Sequence, residues 1–297
     1  MTGCKKARRI EINRKKVQDI IESSLVDEIL LTPKPGLVDD YGDKGDEEKN
    51  LFLKSARTIS PFLTDLFFKG YNWEHEPELL YEEILPIGLE AEKAMYESTE
   101  GYDTHKGMIF TMGIISAAAG YDLVSRGENH ITSILNISES IMKEPIRRYY
   151  EDIKGNKPTT QGERFYAMYG VKGIRGEAAE GFPIIRKVSY PAMIEYRRKY
   201  PDPEQNGSIL INVLLHIMTA LEDTCVISAS DPGGLRWLQN RARYVLALGG
   251  AFTREGMDEL WDWKEDCNRI NISPSGSGDI LASTLFLWRI SGREFVI

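Results

Sequence analysis

The sequence predicts an all-α protein. Two observations carry that expectation: apolar residues recur at helical spacing almost throughout, and the strict alternation of a half-buried strand is almost absent. A third observation bears on size. The chain has 297 residues, 42% of them hydrophobic and 28% charged, which is enough apolar material for a real core. No repeat, low-complexity linker or composition shift marks a boundary, so the expectation is a single compact multi-helix domain over 1–297 with roughly ten to twelve helices.

The first element is announced by Val17, Ile21, Leu25 and Ile29, one apolar stripe along one helix. It should stop before Pro33 and Pro35, because proline disfavours helical geometry in the residue before it. Residues 39–50 hold six acids and two glycines and read as an exposed polar loop. Further helices are expected over about 51–69, 78–97, 106–126, 129–150, 160–170, 176–187, 189–199, 207–222, 235–248, 255–269 and 278–290. Pro-Gly at 35–36, Asp-Pro at 202–203 and Asp-Pro-Gly-Gly at 231–234 fall between them as turns. The apolar run Ile109–Tyr121 is too short for a bilayer, and its Gly113, Gly120 and alanines suit a tightly packed core helix.

Composition excludes several function classes. The formal net charge of −8 argues against a general nucleic-acid binder. Lys5, Lys6, Arg8, Arg9, Arg14, Lys15 and Lys16 have no apolar stretch behind them, so they do not form a secretory signal and read as a solvated helix face. Cys4, Cys225 and Cys267 are an odd number without metal-type spacing, which fits a reducing cytoplasm better than a disulfide framework. No membrane span and no nucleic-acid partner are expected.

Five segments are too polar, or too rich in glycine, for their places beside apolar helices. Thr32-Pro33-Lys34-Pro35-Gly36-Leu37-Val38-Asp39 presents a lysine between two prolines, a rigid cation suited to phosphate. Asp103-Thr104-His105-Lys106-Gly107 precedes the long apolar helix, with Asp103 or Thr104 as a cap and an anion-attracting N-terminus beyond. Arg175 between Gly173 and Gly176 suggests bidentate recognition of a phosphate or carboxylate, and Glu177 opens the next helix. Glu222-Asp223 sits at the end of an apolar helix, where the dipole favours cations, and such misplaced acids suit a metal. Ser273-Pro274-Ser275-Gly276-Ser277-Gly278-Asp279 feeds a helix N-terminus whose N–H groups could cradle phosphate oxygens. Singly, each reads equally well as a helix stop, a cap or a turn. Together they suit a Mg²⁺–polyphosphate ligand.

These segments, in this order, resemble the triphosphoribosyl-dephospho-CoA synthase family. The matching stretches are TPKPGLVD at 32–39, THKGMIF at 104–110, GERFYAMYGVKGIRGEAAEGFP at 162–183 and ISPSGSGDILA at 272–282. The resemblance implies a mostly helical fold and transfer of the triphosphoribosyl group of ATP to dephospho-CoA with release of adenine. The product would be the prosthetic-group precursor for the acyl carrier subunit of citrate lyase or malonate decarboxylase. It implies a grip on the triphosphate by Mg²⁺, Lys34, Lys106, Arg175 and the Ser275, Gly276, Ser277, Gly278 loop. Asp39, Asp46, Glu177, Asp223 and Asp279 are the candidate carboxylates for charge, base or metal duty, with Asp46, Asp223 and Asp279 as metal ligands. His105 is the candidate general acid for adenine. Cys225 stands where that family tends to have an asparagine, and Pro232-Gly233-Gly234 where it has Arg-Gly-Gly. Two rival readings share the same residues: a divergent Mg-dependent nucleotide or N-glycosidic hydrolase, and a catalytically silent nucleotide-binding protein.

Overall fold

The computed structural model describes residues 12–41, 45–156, 158 and 161–292. Lys5, Lys6, Arg8 and Arg9 lie outside them. Thirteen α-helices are present among the described residues, and no strand. They are α1 (Arg14–Leu30), α2 (Gly45–Tyr71), α3 (Tyr81–Ser98), α4 (Lys106–Arg126), α5 (Ile131–Gly155), α6 (Gln161–Tyr169), α7 (Gly173–Ala179), α8 (Tyr190–Lys199), α9 (Asn206–Ala220), α10 (Thr224–Ala229), α11 (Pro232–Ala247), α12 (Arg254–Ile270) and α13 (Ser275–Ile290).

The core is continuous from α1 to α13. Helix α1 starts where Asn13 accepts the Lys15 and Lys16 N–H groups, and it ends at Leu30, ahead of Pro33. Its stripe Val17, Ile21, Leu25 and Ile29 is fully buried, packed by α2 and α13. Truncating Ile21 or Leu25 to alanine would cost about 2–5 kcal/mol, the usual range for a closed core site. Helix α4 is buried on nearly every face, between α2, α5 and α13. It is the one described helix long and apolar enough to cross a bilayer, being longer than the apolar run within it, and it serves instead as the core helix. At Gly120 a side chain would come within 1.9 Å of the Phe67 carbonyl, so α2 approaches as closely as it does only because that residue is glycine.

Several elements depart from the sequence expectation. Of the polar stretch expected as a loop at 39–50, residues 39–41 are irregular, 42–44 lie outside the described residues, and the rest is helical. Helix α2 begins at Gly45, and Asp46, Glu47 and Glu48 form its first turn, where the helix dipole favours acids. The helix expected over 176–187 is broken at 180–182. Helix α7 stops at Ala179, Gly181 and Phe182 take positive φ (68° and 53°), and a π-type turn at Ile185–Ser189 runs into α8. Glu177 enforces this corner: its carbonyl accepts the Phe182 N–H at 2.6 Å and its carboxylate accepts the Ile184 N–H at 3.0 Å. Glu222 and Asp223 are not misplaced at a helix end. Helix α9 ends at Ala220, and Asp223 caps the short α10, accepting the Cys225 N–H. The Ser-Gly run is no loop either, because α13 starts at Ser275 and absorbs it.

Candidate active site

The N-termini of α4, α10 and α13 meet the 34–41 loop around one open cleft of about 1010 Å³. Its wall includes Asp39, Asp46, Lys106, Asp223, Ser275, Gly276 and Asp279, so seven of the residues singled out from sequence converge there. Carboxylates outnumber ammonium groups on that wall: Asp39, Asp40, Asp46, Glu48, Asp103, Glu222, Asp223 and Asp279 against Lys49, Lys106 and Lys264.

The deep end is held by glycine and aspartate. A side chain at Gly107 would meet Asp279 Oδ2 at 2.1 Å, so the first turn of α4 presses directly on that carboxylate. Asp223 is buried; its Oδ1 accepts the Cys225 N–H at 3.1 Å, and its Oδ2 accepts the Ser277 N–H at 3.0 Å and the Ser277 hydroxyl at 3.3 Å. Burial pushes the Asp223 carboxyl up to about 6, against the pull of those hydrogen bonds. Asp279 is raised well above the ordinary carboxylate value, first by loss of water and then by the charges of Asp223, Glu28 and Asp103. No hydrogen bond or ion pair reaches Asp279 among the described residues. Loss of water, and then the Asp223 charge, push the Cys225 thiol up to about 11, which disfavours the thiolate.

Two buried lysines brace the cleft wall. Lys264, on α12, gives its ammonium to both Asp39 oxygens at 2.7 Å and to the Tyr41 carbonyl. Asp39 also accepts the Lys34 N–H at 3.1 Å and the Tyr41 N–H at 3.0 Å. That carboxylate is saturated, so it latches the loop and is not free to act as a base. Lys34 is 1% exposed and does not line the cleft; its ammonium binds Glu28 Oε1 at 2.5 Å and the Glu28 carbonyl. The phosphate grip expected of Lys34 is thus taken up by a buried ion pair.

Other expectations shift as well. His105 is the residue before α4, but it is 3% exposed, its ring edge-on to Phe52 and its Nδ1 2.8 Å from the Ser55 hydroxyl. Burial, and then the Lys34 charge, lower it to about 3. A neutral imidazole behind the wall is poorly placed as a general acid for a base in the cleft. The cap of α4 comes from Asp103, whose Oδ1 accepts the Lys106 N–H at 3.2 Å. Ser277 and Gly278 are buried behind Ser275 and Gly276, and the Ser277 N–H is already engaged by Asp223, which fills the anion place expected at that helix start. Asp46 lines the rim and pairs with Lys49 at 3.0 Å rather than joining Asp223 and Asp279. Arg175 and Glu177 lie outside the cleft: the guanidinium sits over the Tyr149 ring at 4.8 Å and the Phe110 ring at 5.9 Å, and Glu177 holds the corner after α7.

Glu28 and Lys264 were missed in the sequence. Each carried a signal: a charged residue on the buried stripe of an otherwise regular helix. Glu28 stands beside Leu25 and Ile29, and Lys264 between Leu260 and Cys267.

Magnesium fits the deep end on chemical grounds. Among the described residues no group of three or more His, Cys, Asp or Glu forms a ready cage. Mg²⁺ commonly uses only one or two carboxylates together with substrate phosphates. Asp279, near Asp223 and without a hydrogen bond or ion pair among the described residues, has carboxylate oxygens left over for such a cation.

The family described as ATP:dephospho-CoA triphosphoribosyl transferase matches residues 14–295. A 2-(5''-triphosphoribosyl)-3'-dephosphocoenzyme-A synthase of Escherichia fergusonii is 32% identical over 279 residues, covering 93% of this chain and 91% of that protein. The synthase of the same name from Klebsiella pneumoniae is 31% identical over 293 residues, covering 95% and 93%. A protein described as probably that synthase, from Vibrio cholerae, is 34% identical over 269 residues, covering 89% and 84%. No solved structure matches the chain.

Proposed function

The chain belongs to the ATP:dephospho-CoA triphosphoribosyl transferase family, and we propose that the acidic cleft is where it does that family's work. It is a transferase that moves the triphosphoribosyl group of ATP to dephospho-CoA. Triphosphoribose is ATP less its base. The bond between the anomeric carbon and adenine therefore breaks, a bond from that carbon to a ribose hydroxyl of dephospho-CoA forms, and the hydroxyl proton leaves with adenine.

The observation that carries the assignment to this cleft is convergence. Segments around 36–41, 103–107, 221–225 and 273–279 are far apart in sequence and meet on one wall. The chemistry agrees. Breaking a glycosidic bond gives the sugar oxocarbenium character, which nearby carboxylates stabilise. The same carboxylates repel a triphosphate, so the nucleotide needs cations around it. Asp279 and Asp223 would hold magnesium, which when bound supplies positive charge to the triphosphate. Lys106, half-exposed at the start of α4 and 3.3 Å from Glu92, swings to a phosphate at small cost. Asp39 and Lys264 orient the loop wall, and Asp223 keeps the starts of α10 and α13 together. Arg175, outside the cleft, is left as a secondary phosphate contact. Free Cys225 and Cys267 agree with a reducing cytoplasm, and a role for the product in citrate lyase or malonate decarboxylase follows the family resemblance.

The test is to incubate the purified chain with Mg²⁺, ATP and dephospho-CoA, and to follow free adenine and the coupled product by mass. Equal amounts of both are expected. Adenine or phosphate without the coupled product would make it a hydrolase. Binding with no product at all would make it a silent nucleotide-binding protein.

A further inference from the structure

Beyond the cleft rim, across the 40–41 segment, lies an open shelf of about 730 Å³. Leu30, Leu31, Tyr41, Gly207, Trp261 and Glu265 line it. Asp40 and Tyr41 belong to both hollows, so one short stretch of chain separates them. The two differ in chemistry. The cleft wall carries eight carboxylates and three ammonium groups, whereas the shelf sets Leu30, Leu31, Tyr41 and Trp261 beside Thr32 and two carboxylates, Asp40 and Glu265, with no cation.

The shelf is braced from within the protein. The Tyr41 ring meets Trp261 edge-on at 5.1 Å. The Lys264 ammonium lies 5.3 Å from the Trp261 ring and 5.6 Å from the Tyr41 ring, while binding Asp39 and the Tyr41 carbonyl. One buried cation therefore fixes the aromatic pair and the cleft wall together. Yet Tyr41 is 67% exposed and Leu30 38% exposed, so this surface is held in place with none of the described residues covering it.

We propose that this shelf seats the pantetheine arm of dephospho-CoA. The inference rests on the function proposed above. ATP consists of base, sugar and phosphates, all suited to the polar cleft. Dephospho-CoA carries the same kinds of groups plus one long uncharged arm with methyl groups, two amides and a terminal thiol. That arm, apolar in its methyl groups and polar in its amides, is the part of either substrate that matches a cation-free surface of mixed apolar and acceptor groups continuous with the cleft. Its amide N–H groups need acceptors. Glu265 offers an exposed carboxylate that no ion pair reaches among the described residues. Aromatic faces with one polar edge are a common way to hold such a chain without burying it completely.

Gly207 provides a clean way to block the shelf. A Cβ there would meet nothing within 4 Å, and the residue lies in the first turn of α9. Gly207→Leu puts a bulky side chain into the shelf from a position whose Cβ is unobstructed, and Trp261→Ala removes the shelf's aromatic wall. ADP serves as the armless acceptor, because it has the same adenosine diphosphate and ribose hydroxyls. The experiment measures kcat/KM for dephospho-CoA and for ADP, with ATP saturating, in the native chain and in both variants, each checked for unchanged thermal unfolding. The native chain should prefer dephospho-CoA, and each variant should lose about tenfold or more of that preference. Retention of the full preference in Gly207→Leu would place the arm elsewhere and overturn the proposal. If the native chain transfers to neither acceptor, the proposed function fails, and the shelf is still tested by titrating pantetheine alone. Quenching of fluorescence in the native chain that disappears in Trp261→Phe would support the shelf, and no Trp261-dependent quenching would reject it.

Discussion

Two groups of buried charge stand within one cleft wall, and they are built on opposite principles. In the first, Asp39 faces Lys264 and Lys34 faces Glu28, with each carboxylate opposed by an ammonium group at 2.5–2.7 Å. In the second, Asp223 and Asp279 stand near Glu28 and Asp103, and among the described residues no cation pairs with Asp279. The first group is complete as it stands and costs nothing more to keep. The second is buried without a cation: loss of water raises both carboxyls, and the charges of Asp223, Glu28 and Asp103 raise Asp279 further. Charges that the fold neutralises serve the fold. Charges that the fold leaves opposed to one another serve whatever binds. On the function proposed, this difference gives Asp279 to the chemistry and Lys264 to the scaffold, although both are polar residues on the same cleft.

The sharpest way to break that contrast is to neutralise one member of each group. Asp279→Asn should lower turnover by roughly 10²-fold or more, as expected when a metal-site carboxylate is removed. Its thermal unfolding temperature should hold or rise, because a repulsion is relieved. Lys264→Met should do the opposite first, losing about 3–5 kcal/mol in a urea titration by leaving Asp39 buried and unpaired. Adding Asp39→Asn to that variant should restore part of the loss. A Lys264→Met protein of native stability would remove the scaffold role.

A third carboxylate, outside the cleft, extends the comparison to pH. Glu177 is pushed up to about 7 by burial, with Glu180 and Glu222 adding to the shift and Ile184 N–H and Lys187 opposing it. Its folded value lies above the ordinary 4.5. Its burial therefore costs nothing below about pH 4.5, and the cost grows as pH rises toward 7, reaching at most about 3 kcal/mol. Glu177→Gln keeps an acceptor for the Ile184 N–H, so it should stabilise the protein at pH 8 and leave it unchanged at pH 4. Equal effects at both pH values would contradict the assignment. The smallest effect is expected at His105. Being neutral and behind the wall, it should tolerate His105→Gln with less than about tenfold loss of turnover and no shift of the pH profile. A loss of 10²-fold or more with a moved acid limb would return it to the role of general acid.

Much of this was legible in the chain. The stripe on α1, the stop before Pro33 and the small-residue core of α4 follow from local periodicity and proline chemistry, and they stand where expected. The segments that build the cleft were visible as polar islands, because glycine and carboxylates beside apolar helices are conspicuous. What each charge does was not legible. Lys34 and Asp39 look as available as Lys106 and Asp279 in one dimension. Their partners, Glu28 and Lys264, arrive from α1 and α12, and the Asp39–Lys264 pair spans 225 residues. The corner after α7 was lost for a related reason: a glutamate that reads as a helix opener turns its carboxylate onto a backbone N–H seven residues later.

The most direct test of the contrast is binding of Mn²⁺, as a magnetic stand-in for Mg²⁺, to the protein saturated with ATP. It would be followed by electron paramagnetic resonance in the native chain, Asp279→Asn and Lys264→Arg. The account predicts that Mn²⁺ held with ATP weakens about tenfold or more in Asp279→Asn and stays near native in Lys264→Arg. Native-like Mn²⁺ binding by Asp279→Asn would contradict it, since the unpaired carboxylate would then have no cation to hold.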